Sequence, residues 1–588
     1  MLRGDGIALF RVARSEKHLN LLARRLFIRR AREIRFVMQI CRDKIFVALM
    51  VVAVGFASAR GARGEDEACG ALRHVTLAAT VIGLPTAGAE VTSAKRRHKG
   101  GMAYCRVMGR IHSVDLKAND IRFELNLPER WNGKALQYGG GTFDGYLGSS
   151  AGLGRTVVGS KSQATPLTRG YATFGSDGGH HRSYFPLPDA INTLNARFAR
   201  NPEMQSNFAG DALKKVHDVA VVLMERQYGS AATRMYFIGG STGGREALRV
   251  AQRYPQDYDG VLAAYAAWDQ VELDLQFMRT AQALYAPGGF LGHAQTKLIA
   301  RAVEKSCDAE DGLRDGIISD PAGCHVAAET LRCSDGHKHG GCLSDAQLHT
   351  LETFATEQRT STPLSDGVAS IPGYNVLAGA DLSGAVGLLH FSMKNPVIFL
   401  NSFGYVIGDD VTRNFLTVGR HYNSLEFNTR DGGRWGGEIH QQGEEIDSTN
   451  ANLQPFLARG GKLILLHGTT DMVIPTNSSV DYYERVEAKL GVEATQSFTR
   501  LYLVPGLGHG YGKFDGGFDT IGTLDAWADR GIAPENLVVA DKHKGRTRPL
   551  CEWPAWPRYS GSGDVNSASS FKCVGATQGA ATARALAE

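Results

Sequence analysis

The segment around Ser241 constrains the fold most strongly, because a short strand-like run leads directly into a Gly-x-Ser-x-Gly motif. The run 235–238 precedes Gly239, Ser241 and Gly243, and a helix-patterned segment follows. This layout is typical of a nucleophile elbow, a sharp strand-to-helix turn that exposes the serine hydroxyl. The chain has 70 glycines, so a chance match is expected, and residues 148–152 fit the same motif. No strand-like run precedes that second match, so we interpret it as a loop.

The pattern along the chain predicts an α/β fold. Strand-like runs alternate with helical ones from about residue 71 to 254, and the alternation resumes after residue 453. Such alternation is typical of a sheet with helices packed against it. Strands are expected at 121–127, 135–138, 171–174, 462–466 and 498–504, and helices at 212–227, directly after Ser241, and at 479–490.

The segment 256–453 differs in character from its surroundings. It has cysteines, acidic loops, Gly and Pro breaks and scattered aromatic residues, without repeated strand-helix units. We therefore expect a core formed by residues 60–255 and 454–588, with 256–453 as an inserted lid. Two domains suit a chain of this length.

Residues 1–59 are expected to be an N-terminal extension and a signal peptide. A basic stretch runs to Phe36, and after Met38 come the charged residues 42–44, the apolar run 45–56 and the small residues 57–59. This order is typical of a secretory signal, and the apolar run is short for a membrane span. We expect translation to begin at Met38, with an amphipathic extension as the alternative. The mature protein is then secreted or periplasmic, with no membrane partner.

The excess of basic over acidic residues in the chain lies in this leader. Residues 1–59 hold 12 Lys and Arg against 4 Asp and Glu, which leaves 53 basic and 56 acidic side chains and a net charge of −3 for the rest. The remainder therefore gives no electrostatic argument for nucleic acid as a partner.

Eight cysteines follow the leader, and an even number in an exported chain suggests disulfides. A zinc site is the alternative, but the chain has no Cys-x-x-Cys pair. The count does not establish connectivity. The grouping along the chain suggests that neighbours pair, as Cys69–Cys105, Cys307–Cys324, Cys333–Cys342 and Cys551–Cys573.

A serine nucleophile needs a base, and the base needs an acid that orients it. In the chain order of α/β-hydrolases the acid follows the serine and the histidine comes last, each after a strand. The run 462–466 leads to Asp471, and the run 498–504 leads to His509. These two residues are the predicted partners of Ser241. The weaker candidates for the base are His180, His181 and His467.

Acyl transfer also needs backbone donors for the oxyanion. The N–H of Thr242 follows the serine and is one predicted donor. The glycine-rich segment Tyr138–Thr142 follows an expected strand and is predicted to supply the other, from Gly140 or Gly141. A flexible loop is the alternative for this segment.

The segment 307–318 in the insertion is rich in Asp, Glu and Gly. Three carboxylates between tight glycine turns suggest a calcium site, although the spacing is not that of an EF-hand. A solvated acidic loop is the alternative. Glu310 is expected to face solvent.

Taken together, these motifs resemble the tannase and feruloyl esterase family, which includes the mono(2-hydroxyethyl) terephthalate hydrolase of plastic-degrading bacteria. The resemblance spans roughly residues 69–574. It rests on 169–173, 239–245, the acidic loop 307–318, 447–456, 467–475, 481–486, 504–509 and 546–551.

The resemblance implies an α/β-hydrolase fold with a lid, and a triad of Ser241, Asp471 and His509. It supports the glycine-run oxyanion role and the four cysteine pairs. It also implies that a structural calcium ion is held by the acidic loop. Its ligands are then the side chains of Asp308, Asp311 and Asp315 and the carbonyls of Leu313 and Ile317.

Two features depart from the family pattern. Family members commonly have a cysteine directly before the serine and another directly after the histidine, joined as a disulfide, and here these positions are Gly240 and Gly510. Losing a cross-link can cost a few kcal/mol, so we expect a more mobile histidine loop. The family's His-Gly-Trp-x-Asp is also changed, with Thr469 in place of the tryptophan.

The sequence therefore predicts an exported carboxylic-ester hydrolase for small aromatic esters such as galloyl or feruloyl esters. A terephthalate-monoester hydrolase is the alternative within the class. A catalytically silent protein that binds phenolic ligands and a serine peptidase are the alternatives outside it. Aromatic side chains of the insertion are candidates for the pocket or for the core. They are Phe403, Tyr405, Phe415 and Trp435.

Overall fold

The predicted alternation folds into one mixed sheet. The structure, a computed structural model, describes residues 67–147, 156–181, 194–334, 341–391, 396–398, 400–418 and 422–575. In these residues ten strands pair in the order β1-β2-β3-β4-β6-β5-β7-β8-β9-β10. The strands are β1 (Thr76–Leu77), β2 (Ala89–Lys99), β3 (Met102–Ile111), β4 (Ile121–Pro128), β5 (Lys134–Tyr138), β6 (Ala172–Ser176), β7 (Arg234–Ser241), β8 (Gly260–Ala266), β9 (Lys462–Gly468) and β10 (Thr499–Val504).

The two halves of this sheet differ in strand direction. Strands β1 to β4 form an antiparallel meander, and β4 also pairs with β6 in the antiparallel sense. From β6 to β10 every neighbouring pair is parallel. The parallel strands are apolar and buried on both faces, because helices cover them. The five strands listed from the sequence and the strand that leads into Ser241 are all present, whereas the long hairpin of β2 and β3 was not predicted.

Helices connect the parallel strands and form the insertion. The predicted helices at 212–227, after Ser241, and at 479–490 are confirmed with small changes at their ends. The helices are α1 (Pro202–Ser206), α2 (Ala212–Tyr228), α3 (Thr242–Arg253), α4 (Gln270–Tyr285), α5 (His293–Cys307), α6 (Asp345–Ala355), α7 (Phe403–Val411), α8 (Gly436–Ile446), α9 (Gln454–Ala458), α10 (Thr476–Leu490), α11 (Val492–Phe498) and α12 (Thr520–Arg530). No helix among the described residues is long and apolar enough to cross a membrane.

The predicted start of the insertion at residue 256 is wrong. Strand β8 lies within the predicted insertion, yet it pairs with β7 on one side and β9 on the other in the middle of the sheet. The insertion therefore begins only after Ala266. The strand was missed because every residue of β8 is buried, so its sequence has no alternation of apolar and polar residues.

Smaller elements complete the described fold. Two short strands in the insertion, Gln358–Arg359 and Ser370–Ile371, form a hairpin. Near the C-terminus, Gly516–Gly517, Val538–Asp541 and Thr547–Pro549 form one small sheet, and Trp556–Tyr559 pairs with Phe571–Val574.

The predicted disulfides Cys307–Cys324, Cys333–Cys342 and Cys551–Cys573 are confirmed. Cys69 and Cys105 are both disulfide-bonded, and their pairing with each other stays a prediction. Residues 1–59, with the predicted leader, lie outside the described residues.

Candidate active site

Ser241 has the strained backbone of a nucleophile elbow. It is the last residue of β7 and directly precedes α3, with φ 61° and ψ −126°. A non-glycine residue with positive φ is uncommon, and such strain concentrates at functional sites. The flanking glycines are needed for space, since a Cβ on Gly239 would lie 2.1 Å from the Gly243 carbonyl oxygen. The second Gly-x-Ser-x-Gly match, at 148–152, lies outside the described residues.

The predicted acid and base meet at the carboxyl ends of two neighbouring strands. Asp471 follows β9 and His509 follows β10, and His509 Nδ1 donates to Asp471 Oδ2 over 2.8 Å. The other carboxylate oxygen of Asp471 accepts the backbone N–H groups of Val473 and Ile474. Asp471 is fully buried, so these bonds fix its side chain in one orientation.

The environment keeps Asp471 ionised. Burial raises the pKa of this carboxyl group, but the charge of His509 and the hydrogen bonds from His467 and His509 outweigh burial and lower the pKa. An ionised Asp471 can orient the His509 ring and stabilise its protonated form.

Thr469, at the position where the family has a tryptophan, connects the two loops. Its Oγ1 accepts the backbone N–H of Gly506, and its carbonyl oxygen accepts from Asn375 in the insertion. A hydrogen-bonded side chain thus lies between the acid loop and the histidine loop.

The other candidate histidines contact groups other than Ser241. His467 is fully buried, with Nδ1 2.8 Å from Ser479 Oγ and Nε2 3.4 Å from Asp471 Oδ2. His180 bonds the carbonyl oxygen of Phe143 and stacks on Phe198, and burial lowers its pKa to about 4. His181 Nδ1 lies 3.6 Å from Asp177 Oδ2.

The predicted oxyanion glycines have other hydrogen-bond partners. Gly140 N–H donates to Glu246 Oε2 over 2.8 Å, and Gly141 N–H donates to Asp144 Oδ1 over 2.7 Å. The next residue, Thr142, lines the cavity that holds Ser241, and its φ is 54°. The geometry therefore does not favour either glycine as the oxyanion donor, and Thr142 becomes the candidate for this role.

Thr242 connects the elbow to this turn. It begins α3, so its N–H has no acceptor within the helix. Its Oγ1 donates to the carbonyl oxygen of Thr142 over 2.5 Å. The side chain of the residue after the serine thus sets the distance between the elbow and the turn.

Two buried carboxyl groups, which no sequence motif marked, lie behind the turn. Asp144 and Glu246 are buried and hydrogen-bond each other. Burial and the charge of Glu246 raise the pKa of Asp144 well above its usual range, and burial also raises the pKa of Glu246. A carboxylic acid bonded to a carboxylate explains how two acidic groups remain in one dry site.

A large cavity opens beside Ser241 and His509. Its volume is about 760 Å³, which suits a small organic ligand. Of the four insertion aromatics named from the sequence, Phe403 lines it, whereas Tyr405, Phe415 and Trp435 are buried in the core. The apolar lining residues include Phe143, Leu273, Phe277, Phe403, Ile407, Met472, Val473 and Ile474.

The acidic loop lies after α5 and is closed by the disulfide Cys307–Cys324. Asp308 accepts the N–H of Gly316, and Asp311 accepts those of Leu313 and Ser319. These backbone bonds fix the orientation of the two carboxylates within the loop.

Asp315 accepts the N–H of Ile317 and forms an ion pair with Arg548 at 2.8 Å. Burial, with a contribution from the charge of Asp315, raises the pKa of Asp308. The donor set of carboxylates and carbonyls suits calcium. The three carboxylates do not meet within 4.8 Å; in the described chain that spacing is reached by His217, Asp218 and Asp257, where Lys214 pairs with both aspartates.

Comparison with known proteins identifies the family. A model of the family described as tannase and feruloyl esterase matches residues 105–574. The chain belongs to the tannase and feruloyl esterase family. An uncharacterized esterase of Agrobacterium fabrum is 36% identical over 90% of this chain and 96% of its own length. The mono(2-hydroxyethyl) terephthalate hydrolase of Piscinibacter sakaiensis is 30% identical over 80% of this chain and 85% of its own.

Solved structures agree on the fold. The crystal structure of feruloyl esterase B from Aspergillus oryzae matches with a TM-score of 0.69 and 22% identity, covering 84% of this chain and 98% of that one. The α/β-hydrolase fold is thereby confirmed. Membership of the tannase and feruloyl esterase family makes the protein a carboxylic-ester hydrolase.

Proposed function

We propose that this esterase is exported and hydrolyses esters of aromatic acids through a triad of Ser241, His509 and Asp471. The observation that carries the proposal is the 2.8 Å bond between Asp471 and His509, because His509 lines the same cavity as the strained Ser241. A base oriented by a buried carboxylate beside a serine elbow is the arrangement that acyl transfer requires.

The reaction proceeds in two halves. Ser241 Oγ attacks the ester carbonyl while His509 takes its proton, and the tetrahedral intermediate expels the alcohol, which receives that proton. Water then attacks the acyl-enzyme while His509 takes its proton, the second tetrahedral intermediate expels Ser241 Oγ, which receives that proton, and the free acid dissociates. The oxyanion is held by the N–H of Thr242 and, in place of Gly140 or Gly141, by the N–H of Thr142.

The cavity supports an aromatic acyl group. Phenylalanine and aliphatic side chains line it around Ser241 and His509, and an aromatic ring buried among them is favoured by the apolar area that it removes from water. Two of the similar proteins are named feruloyl esterase B and mono(2-hydroxyethyl) terephthalate hydrolase. The esters in both names have an aromatic acid on the acyl side.

We also propose that the acidic loop holds calcium. Asp308, Asp311 and Asp315, with the carbonyls of Leu313 and Ile317, are the ligand candidates. The ion would offset the mutual repulsion of the carboxylates and stabilise the insertion. Export, proposed from residues 1–59, predicts secreted material that begins near Arg60.

The deciding experiment compares purified wild-type protein with Ser241→Ala on methyl ferulate, methyl gallate, a terephthalate monoester and p-nitrophenyl acetate. We expect the wild type to favour an aromatic acyl group and the variant to lose activity on every ester. Equal activity of the two proteins would refute the triad. No activity in either, with binding of the free phenolic acids, would identify a silent binding protein instead.

A further inference from the structure

Tyr265 has an unusual backbone beside the candidate site. The pairing of β7 with β8 shifts register at the elbow, since Gly240 pairs with Ala264 but Ser241 pairs with Ala266. Tyr265 is the extra residue of this bulge, and its φ is 34°. Bulges next to active sites re-aim a side chain, and a positive φ in a tyrosine is a strain that the surrounding structure must support.

The bulge directs the Tyr265 ring at the candidate base. The ring centroids of Tyr265 and His509 are 4.6 Å apart, with a tilt of 49°. The same ring lies 6.2 Å from the ring of His467. Tyr265 is 7% exposed, so its ring is a fixed wall against one side of the His509 imidazole.

Two glycines leave the space that this ring fills. A Cβ on Gly240 would lie 2.7 Å from Tyr265 Cε2, and a Cβ on Gly510 would lie 3.3 Å from the Tyr265 hydroxyl oxygen. Gly240 directly precedes Ser241, and Gly510 directly follows His509. The Tyr265 ring therefore packs between the nucleophile elbow and the histidine loop.

We propose that Tyr265 is a positioning residue that holds the His509 ring in register with Ser241. The ring does not exchange a proton with the substrate. It limits rotation and displacement of the imidazole, while the bond to Asp471 fixes Nδ1. The inference rests on the proposed role of His509 as the base. It also replaces the expectation of a looser histidine loop, because a packed ring occupies the space between the two glycines.

The test measures kcat and KM for an ester that the wild type hydrolyses, in Tyr265→Ala and Tyr265→Phe. Displacement of a catalytic base by about 1 Å can lower the rate of the reaction about 10²-fold. We therefore expect Tyr265→Ala to lower kcat by up to this factor with little change in KM. Tyr265→Phe keeps the ring and should retain most of kcat. The rate at which a fluorophosphonate labels Ser241 should fall in parallel with kcat.

Tyr258 supplies a matched control. It is a buried tyrosine that also packs on a histidine, His217, with ring centroids 5.3 Å apart. Tyr258→Ala should lower the melting temperature without a selective fall in kcat of the folded protein. If Tyr265→Ala does not fold, Tyr265→Leu, which keeps apolar volume without a flat ring, takes its place with the same expected fall in kcat.

Gly240→Ala tests the packing from the other side. The added methyl group would push the Tyr265 ring and also contact Val157 Cγ2, so kcat should fall. In the Tyr265→Ala background the same change should cost less, because one of the two clashes is gone. Equal costs of Gly240→Ala in both backgrounds would overturn the proposal.

The proposal is also overturned if Tyr265→Ala retains wild-type kcat and labelling rate. That result, with inactive Ser241→Ala and His509→Ala, would leave the triad intact and remove only the role of Tyr265. Full activity of Ser241→Ala or His509→Ala would instead refute the proposed function.

Discussion

Gly140 donates its backbone N–H to Glu246 Oε2 over 2.8 Å, and this bond joins the turn that faces Ser241 to the helix that begins at the elbow. Asp144 holds the neighbouring Gly141 N–H in the same way and shares a hydrogen bond with Glu246. Together with the bond from Thr242 Oγ1 to the Thr142 carbonyl oxygen, these two buried carboxyl groups therefore hold the turn relative to Ser241.

Removing Glu246 should loosen the turn. In Glu246→Ala the Gly140 N–H and Asp144 lose a buried partner, which costs about 1–3 kcal/mol of unfolding free energy for each unpaired group. We expect a lower melting temperature and a fall in kcat. Glu246→Gln keeps an acceptor for Gly140 and a donor for Asp144. This variant should therefore retain a melting temperature and a kcat close to those of the wild type. Equal behaviour of the two variants would contradict this account.

Asp471→Asn should retain the fold and lose activity. An amide at this position can keep a hydrogen bond to the ring while favouring the wrong tautomer of His509, and in serine hydrolases such a change lowers kcat about 10⁴-fold. Steady-state kinetics with an unchanged circular dichroism spectrum would show this. A fall of less than about tenfold would argue that His509 is not oriented by Asp471.

The protein should lose stability as the pH rises towards 9. Burial, with a contribution from the charge of Asp447, raises the pKa of Asp269 to about 8, and burial raises the pKa of Asp274 and Asp447 to about 8. In the unfolded chain these groups titrate near about 4. Between about pH 4 and pH 8, these aspartates are therefore protonated in the folded state and ionised in the unfolded state.

The stability from these aspartates is thus fully present below about pH 4 and is lost as the pH rises through about 8. Each proton contributes a slope of about 1.4 kcal/mol per pH unit in that window. Melting temperatures measured from pH 5 to 9 should fall, and Asp274→Asn should flatten the profile. The exposed Asp564→Asn is the control and should leave the profile unchanged.

Phe403 should contribute to the binding of aromatic acyl groups. It is the one of the four sequence-predicted aromatics that lines the cavity. Phe403→Ala should raise KM for a feruloyl or galloyl ester by more than for an acetyl ester, because the larger ring loses more apolar contact. Phe415→Ala, in the core, should lower stability without this selectivity. The same change in KM for both esters would place the aromatic ring elsewhere.

Chelation should destabilise the insertion if calcium occupies the acidic loop. EDTA should lower the melting temperature, and calcium in excess over the chelator should restore it, since binding to the folded state alone is stabilising. Asp311→Asn should weaken both effects. An unchanged melting temperature, with no calcium found by elemental analysis of the purified protein, would rule the site out.

The sequence alone identified every parallel strand except β8, together with the elbow and the residues that follow β9 and β10. These features are local: strand and helix periodicity are written in consecutive residues, and chain order then assigns Asp471 and His509. The pairs Cys307–Cys324, Cys333–Cys342 and Cys551–Cys573 were also accessible, because their partners are close along the chain.

Only the tertiary structure decided which groups meet across distant segments. The pairing register of β7 and β8 creates the bulge that turns Tyr265 onto His509, and the backbone N–H groups of Gly140 and Gly141 donate to the buried carboxyl groups of Glu246 and Asp144. The sheet order likewise placed β8 in the core. Register and packing depend on contacts between residues far apart in the chain, so no local pattern encodes them.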